Sequence, residues 1–118
     1  MQYMLLILGD EKQMNAATVV DGTGMSAEYA AFNDALIKAG AMRGGERLKP
    51  TAMTTTVRVR DKKAVVLDGP YAETAEQLGG YYIIDVPNLD QAIDWAKKCP
   101  AALFGTVEVR PIWPTGRE

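Results

Sequence analysis

The chain contains no histidine. That absence removes the side chain whose unperturbed pKa lies nearest neutrality. With it go any Ser-His-Asp or Cys-His site and any His-ligated zinc or iron centre built within one chain. Cysteine is nearly as scarce. Cys99 stands alone, which excludes an intrachain disulfide and a thiolate metal cluster. Its position before Pro100, where a helix ends, marks it as a buried, inert thiol and not a nucleophile. Basic charge is not in excess: 13 basic and 15 acidic residues give a net charge of −2. The chain therefore lacks the electrostatic footprint of a phosphate-backbone binder, and nucleic acid is not an expected partner. No run approaches the ~20 apolar residues of a membrane span. The opening MQYMLLILGDEK has a short apolar stretch without a basic leader, the pattern of a strand and not of a signal peptide. A reducing, cytoplasmic location is expected, with no membrane partner. No metal and no resident cofactor are assigned. Any chemistry rests on carboxylates, lysine, tyrosine and arginine, or on an imported group.

What is present describes an ordinary folded domain. The 118 residues are 47% hydrophobic and 24% charged, enough for one core and one domain spanning 1–118. The first strand runs from Gln2 to Leu8, an apolar run expected to be buried on both faces. Residues 9–25 read as a flap or as a loop holding a short helix. Ser26 caps a helix whose Tyr29, Phe32 and Leu36 recur at helical spacing, and Gly40 ends it. Ala41 to Leu48 reads as a strand with a bulge at Gly44-Gly45. Thr54 to Arg60 alternates, and Ala64 to Leu67 returns from an Asp61-Lys62 turn to make a hairpin. Leu78 to Val86 is a long strand, with Gly79-Gly80 marking a bulge or a close backbone approach. Asn88 caps a second helix with Leu89, Ala92, Ile93 and Ala96 on its apolar face, and Thr106 to Ile112 is the last strand.

This order predicts an α+β fold, a mainly antiparallel sheet with two helices on one face. Tyr81 to Val86 carries large side chains on both sides except at Asp85. Two helices cover one face only, so the other needs a lid, and a second copy of the same sheet is the simplest. A homodimer is expected.

The densest motif is DGPYAETAEQLGGYY, Asp68 to Tyr82. A helix ending in Trp95-Ala96 and Cys99-Pro100 follows, then Val107-Glu108-Val109-Arg110-Pro111. From about Ala31 to Pro111 the chain resembles the YCII-related family, in its DGPF-motif branch, with Tyr71 in place of the phenylalanine. The resemblance implies a dimeric α+β barrel of ferredoxin-like topology. It also implies genes placed beside extracytoplasmic-type sigma factors, hence a regulatory protein as one class of partner. Wider relatives include muconolactone-type lyases and dehalogenases that use a His-Asp pair. Here the motif Asp68 is present and the histidine is absent.

The candidate site residues each carry two readings. Asp68 is a general base beside an apolar cleft, or a turn aspartate bonded to nearby amides. Glu73 and Glu76, on one side of a helical turn, are paired carboxylates that assist Asp68 or bind ligand, or they hold the loop through Arg58 or Arg110. Arg58 and Arg110 clamp an acidic ligand, or lie on solvated strand faces. Tyr71, Tyr81 and Tyr82 line a pocket, or belong to core and interface. Asp21-Gly22-Thr23-Gly24 hints at an anion-binding turn, but Ala27 breaks the dinucleotide fingerprint. Two functions follow. One is a homodimeric module binding a small acidic or aromatic ligand or a regulatory partner. The other is a lyase- or isomerase-like enzyme with Asp68 as base.

Overall fold

A computed structural model of the chain describes residues 1–15 and 26–115. Numbered along the chain, the strands are β1 (Gln2–Gly9), β2 (Met42–Arg47), β3 (Thr55–Arg60), β4 (Lys63–Asp68), β5 (Gln77–Asp85) and β6 (Thr106–Pro111). The helices are α1 (Glu11–Asn15), α2 (Ala27–Lys38) and α3 (Leu89–Lys98). Four strands form one open antiparallel sheet in the order β2-β5-β1-β6, with β1 and β5 at its centre. The α+β class and the antiparallel sheet are as the sequence predicts. Among the described residues no helix is long and apolar enough to cross a membrane.

Alternation along β1 sets the layers. Tyr3, Leu5 and Ile7 are buried, whereas Gln2, Met4, Leu6 and Leu8 are half-buried. β5 repeats this, with Tyr82 and Ile84 buried and Tyr81 and Ile83 half-buried. The expectation that β1 is buried on both faces fails within the protomer, because α2 and α3 supply one layer only. Phe32 and Leu36 of α2, with Ala92 and Ala96 of α3, join Tyr3, Leu5, Ile7, Tyr82 and Ile84 in the core. Phe32 meets the Tyr82 ring edge-on at 5.2 Å. Fully burying each large apolar side chain here contributes about 1.5–3 kcal/mol.

Both helix caps form as the sequence predicts. Ser26 Oγ accepts from the Tyr29 amide and Asn88 Oδ1 from the Gln91 amide. Gly40, at φ 70°, ends α2 in the left-handed conformation. Gly79 is the extra residue of a bulge where β5 leaves register with β1. Gly80 is the close approach: a Cβ there would lie 2.8 Å from the Glu46 carbonyl oxygen. On β2 the bulge falls at Arg43, one position ahead of Gly44-Gly45.

Two segments differ from expectation. The hairpin does not join the sheet. β3 and β4 form a separate two-stranded ribbon, exposed at every residue except Thr56. Its turn places Asp61 at φ 52° and Lys62 at φ 64°, the two left-handed residues a tight hairpin of this length requires. The connector from Tyr71 to Glu76 is a series of bends and contains no helical turn. Helix α1 opens the 9–25 segment, and Asp21-Gly22-Thr23-Gly24 lies outside the described residues.

Candidate binding site

The polar groups converge at the end of the sheet where β1 finishes and β5 and β6 begin. Asp10 caps α1, its carboxylate accepting from the Lys12 amide at 2.8 Å. This turns Glu11 across the sheet end. Its amide donates to Gln77 Oε1 at 3.1 Å, and its carboxylate accepts from both the amide and the hydroxyl of Thr51. Thr51 sits in a 3₁₀ turn just ahead of the ribbon. Thr74 donates to the Glu76 carbonyl, and Thr106 donates to the Glu76 carboxylate at 2.8 Å. The connector carrying the DGPY motif is thereby tied to α1 on one side and to β6 on the other. Glu11, Thr51 and Gln77 were not singled out from sequence. The available signal was Asp10-Glu11 after an apolar run, the start of a capped helix.

The predicted site residues fall into three places. Asp68 ends β4 opposite Thr55 and is exposed. The turn beyond it is closed without its help. The Gly69 amide donates to the Thr54 carbonyl at 2.7 Å, and the Thr56 hydroxyl donates to the Gly69 carbonyl at 2.6 Å. Gly69 stands at φ 101°, a conformation suited to glycine. The Asp68 carboxylate has no hydrogen bond or ion pair among the described residues. Nearby, the Arg58 guanidinium lies over the Tyr71 ring, 5.3 Å from its centroid. Such an exposed cation–π contact contributes about 0.5–1 kcal/mol.

Glu73 is exposed and Glu76 is the half-buried acceptor for Thr106. The pairing of these two glutamates on a helical turn is not found, since the turn itself is absent. Neither forms an ion pair with Arg58 or Arg110 among the described residues. Arg110 lies on β6 beside Met4, on the sheet face away from the helices. Tyr81 shares that open face beside Leu6 and Glu46. Tyr82 points into the core, where its hydroxyl donates to Asn33 Oδ1 and burial pushes its phenol well above the usual range.

Cys99 is 1% exposed and hydrogen-bonded to Tyr29. Desolvation raises the pKa of both groups, so neither thiolate nor phenolate is available near neutrality. The inert thiol expected from sequence is what the core holds. A separate apolar groove of about 380 Å³ runs between α3 and β6, lined by Ile93, Ala96, Val107 and Val109 with Lys97 among its walls. None of the predicted site residues lines it. No three Cys, Asp or Glu residues cluster to hold a metal ion among the described residues.

Among the described residues, no helix covers the sheet face opposite α2 and α3. Cross-strand register sets Ile83, Met4 and Arg110 in one row and Glu46, Tyr81, Leu6 and Glu108 in the next, with Leu78, Leu8 and Thr106 beyond. The middle of the face is apolar, and charge lies on the two edge strands. The profile of the YCII-related domain matches residues 1–115. The chain belongs to the YCII-related family. An uncharacterised protein of Rhizobium meliloti (strain 1021) is 35% identical over 114 residues, which cover 95% of this chain and 92% of that protein.

A general base gains strength near neutrality by desolvation or a like-charged neighbour. Asp68 is exposed and has no such neighbour bonded to it among the described residues. Arg58 stacks on Tyr71 at the ribbon, and Arg110 lies beside the apolar row of the sheet.

Proposed function

We propose that the domain is a homodimeric binding module in which two copies pack open face to open face as a dimeric α+β barrel. The observation that carries this reading is the half-exposed row Met4, Leu6, Leu8, Tyr81 and Ile83, flanked by Glu46 on one edge strand and by Glu108 and Arg110 on the other. An apolar centre with a charged rim is the anatomy of a specific interface. A second sheet about 10 Å away would fill both layers with interdigitated side chains. Topology supports the same reading. With α2 and α3 as crossovers, β6-β1-β5-β2 is the order of a ferredoxin-like sheet.

The ligand class is a small acidic or aromatic molecule, taken by the Arg58–Tyr71 pair at the ribbon or, at a separate place on the open sheet face, by Arg110. A regulatory protein, as the DGPF-branch resemblance implies, is the macromolecular counterpart. The enzymatic alternative needs a proton partner for Asp68, and the chain has no histidine to serve as one.

Sedimentation velocity tests the assembly. The wild-type chain sediments as a dimer at micromolar concentration. Leu6→Lys, at the centre of the face, sediments as a monomer with its helical circular dichroism retained. A monomeric wild-type chain overturns the proposal. Benzoate is the ligand probe. It raises the melting temperature of the wild type and has less effect on Arg58→Gln and Arg110→Gln, since a ligand that prefers the native state stabilises it.

A further inference from the structure

The β3–β4 ribbon is not explained by the fold of one protomer. Cross-strand pairs share a face, so Val57 with Val66, Val59 with Ala64, and Thr55 with Asp68 line one side. The three valines of that strip are 61%, 59% and 61% exposed. The opposite side presents Arg58, Arg60 and Lys63 together with Val65 and Leu67, 43% and 55% exposed. A two-stranded hairpin with nothing against it is marginal in water. The radius of gyration is 16.0 Å, against about 13.5 Å for a compact chain of this length. The ribbon reaches away from its own core.

Charge indicates what it reaches for. Of the chain's 13 basic and 15 acidic residues, four basic (Arg58, Arg60, Lys62, Lys63) and two acidic (Asp61, Asp68) lie on the ribbon. The remaining nine basic and thirteen acidic residues make the rest of the molecule acidic. The ribbon's net charge, carried mainly on the side away from the valine strip, is opposite in sign to the body of another copy and steers the two together. Its root is also anchored at the end of the open face. The Leu48 amide donates to the Gly79 carbonyl, and Glu11 holds Thr51. Leu78, 39% exposed, continues the apolar row to this point.

We infer that the ribbon is an arm that each copy lays on the other. Its valine strip covers apolar surface of the second copy, and Asp68 at its root enters a site built from both chains. This rests on the homodimer reading and adds to it. Asp68 shares the face of the strip, so a carboxylate exposed in one protomer becomes enclosed in the pair. The DGPY motif then marks a site that a single chain does not complete.

Hydrogen exchange on the wild-type chain tests this without any variant. The amides of residues 55–68 exchange rapidly in dilute solution and slow as concentration drives dimerisation. The double variant Val57→Lys, Val66→Lys provides the second measurement. Two desolvated lysines weaken dimerisation about tenfold or more, while the circular dichroism of the sheet and helices is unchanged. A dimer whose arm amides exchange equally fast at every concentration, with the double variant dimerising as tightly as wild type, assigns the strip to a different partner. That result overturns the arm and leaves the dimer standing. A wild-type chain that stays monomeric overturns both.

Discussion

The carboxylate of Glu11 accepts two hydrogen bonds from one residue, Thr51, at 2.6 Å from its amide and 2.9 Å from its hydroxyl. The two residues are 40 positions apart. This bond joins the short helix after β1 to the turn that launches the ribbon.

Glu11→Ala leaves the amide and hydroxyl of a half-buried threonine without their acceptor. The expected cost is about 1–3 kcal/mol, read as a lower urea midpoint with an unchanged slope. Faster amide exchange at Thr51 than at the distant β1–β6 pairs identifies the loss as local. An unchanged midpoint and unchanged exchange would show that the bond does not hold the root.

Asp85 carries a pH-dependent contribution. It accepts a hydrogen bond from the Met1 ammonium at 2.9 Å, with Arg43 at 3.5 Å from its other oxygen. The ammonium hydrogen bond first, and then the attraction of that ammonium and Arg43, hold its carboxyl below the ordinary range. A depressed folded-state pKa adds stability above the unfolded value of about 3.9 and loses it as pH falls through the folded value. Asp85→Asn therefore melts below wild type near neutrality, and the two curves converge under acid. Added salt shrinks the neutral difference, because the pair is exposed. A difference that grows on acidification would contradict the assignment.

Gly80 and Gly44 both lie in the sheet but differ in the room beside them. A Cβ at Gly80 meets the Glu46 carbonyl oxygen at 2.8 Å and Arg47 Cα at 3.5 Å, both backbone atoms of the neighbouring strand. A Cβ at Gly44 meets only Ile83 Cδ1 at 3.9 Å. Gly80→Ala is expected to cost about 1–3 kcal/mol by forcing β2 and β5 apart. Gly44→Ala is expected to melt close to wild type. Thermal denaturation of the two variants side by side decides it, and equal losses would refute the close-approach account.

The elements of the fold were legible where the code is local. Period-two alternation marked β3, a run of large apolar and aromatic residues marked β5, helical spacing marked α2 and α3, and Ser26 and Asn88 bond to the amides expected of them. Glycine pairs marked the bulge and the tight approach on β5. The site was less legible. The motif points to Asp68 and Tyr71, strand alternation points to Arg58, and Arg58 with Tyr71 do meet. The glutamate pair failed because Tyr71 to Glu76 has helix-compatible spacing yet is held in bends by bonds at Thr74, Glu76 and Gln77.

By itself, then, the order of residues determined periodicity, caps and turns, since each depends on neighbours a few positions away. It also determined the absence of histidine chemistry. Only the tertiary structure decided that β1 has one covered face, that the ribbon stands off the sheet, and that Glu11 grips Thr51. The reason is physical. Which face is buried depends on how many layers the chain can supply, and a bond across 40 residues forms only after the sheet has brought its ends together.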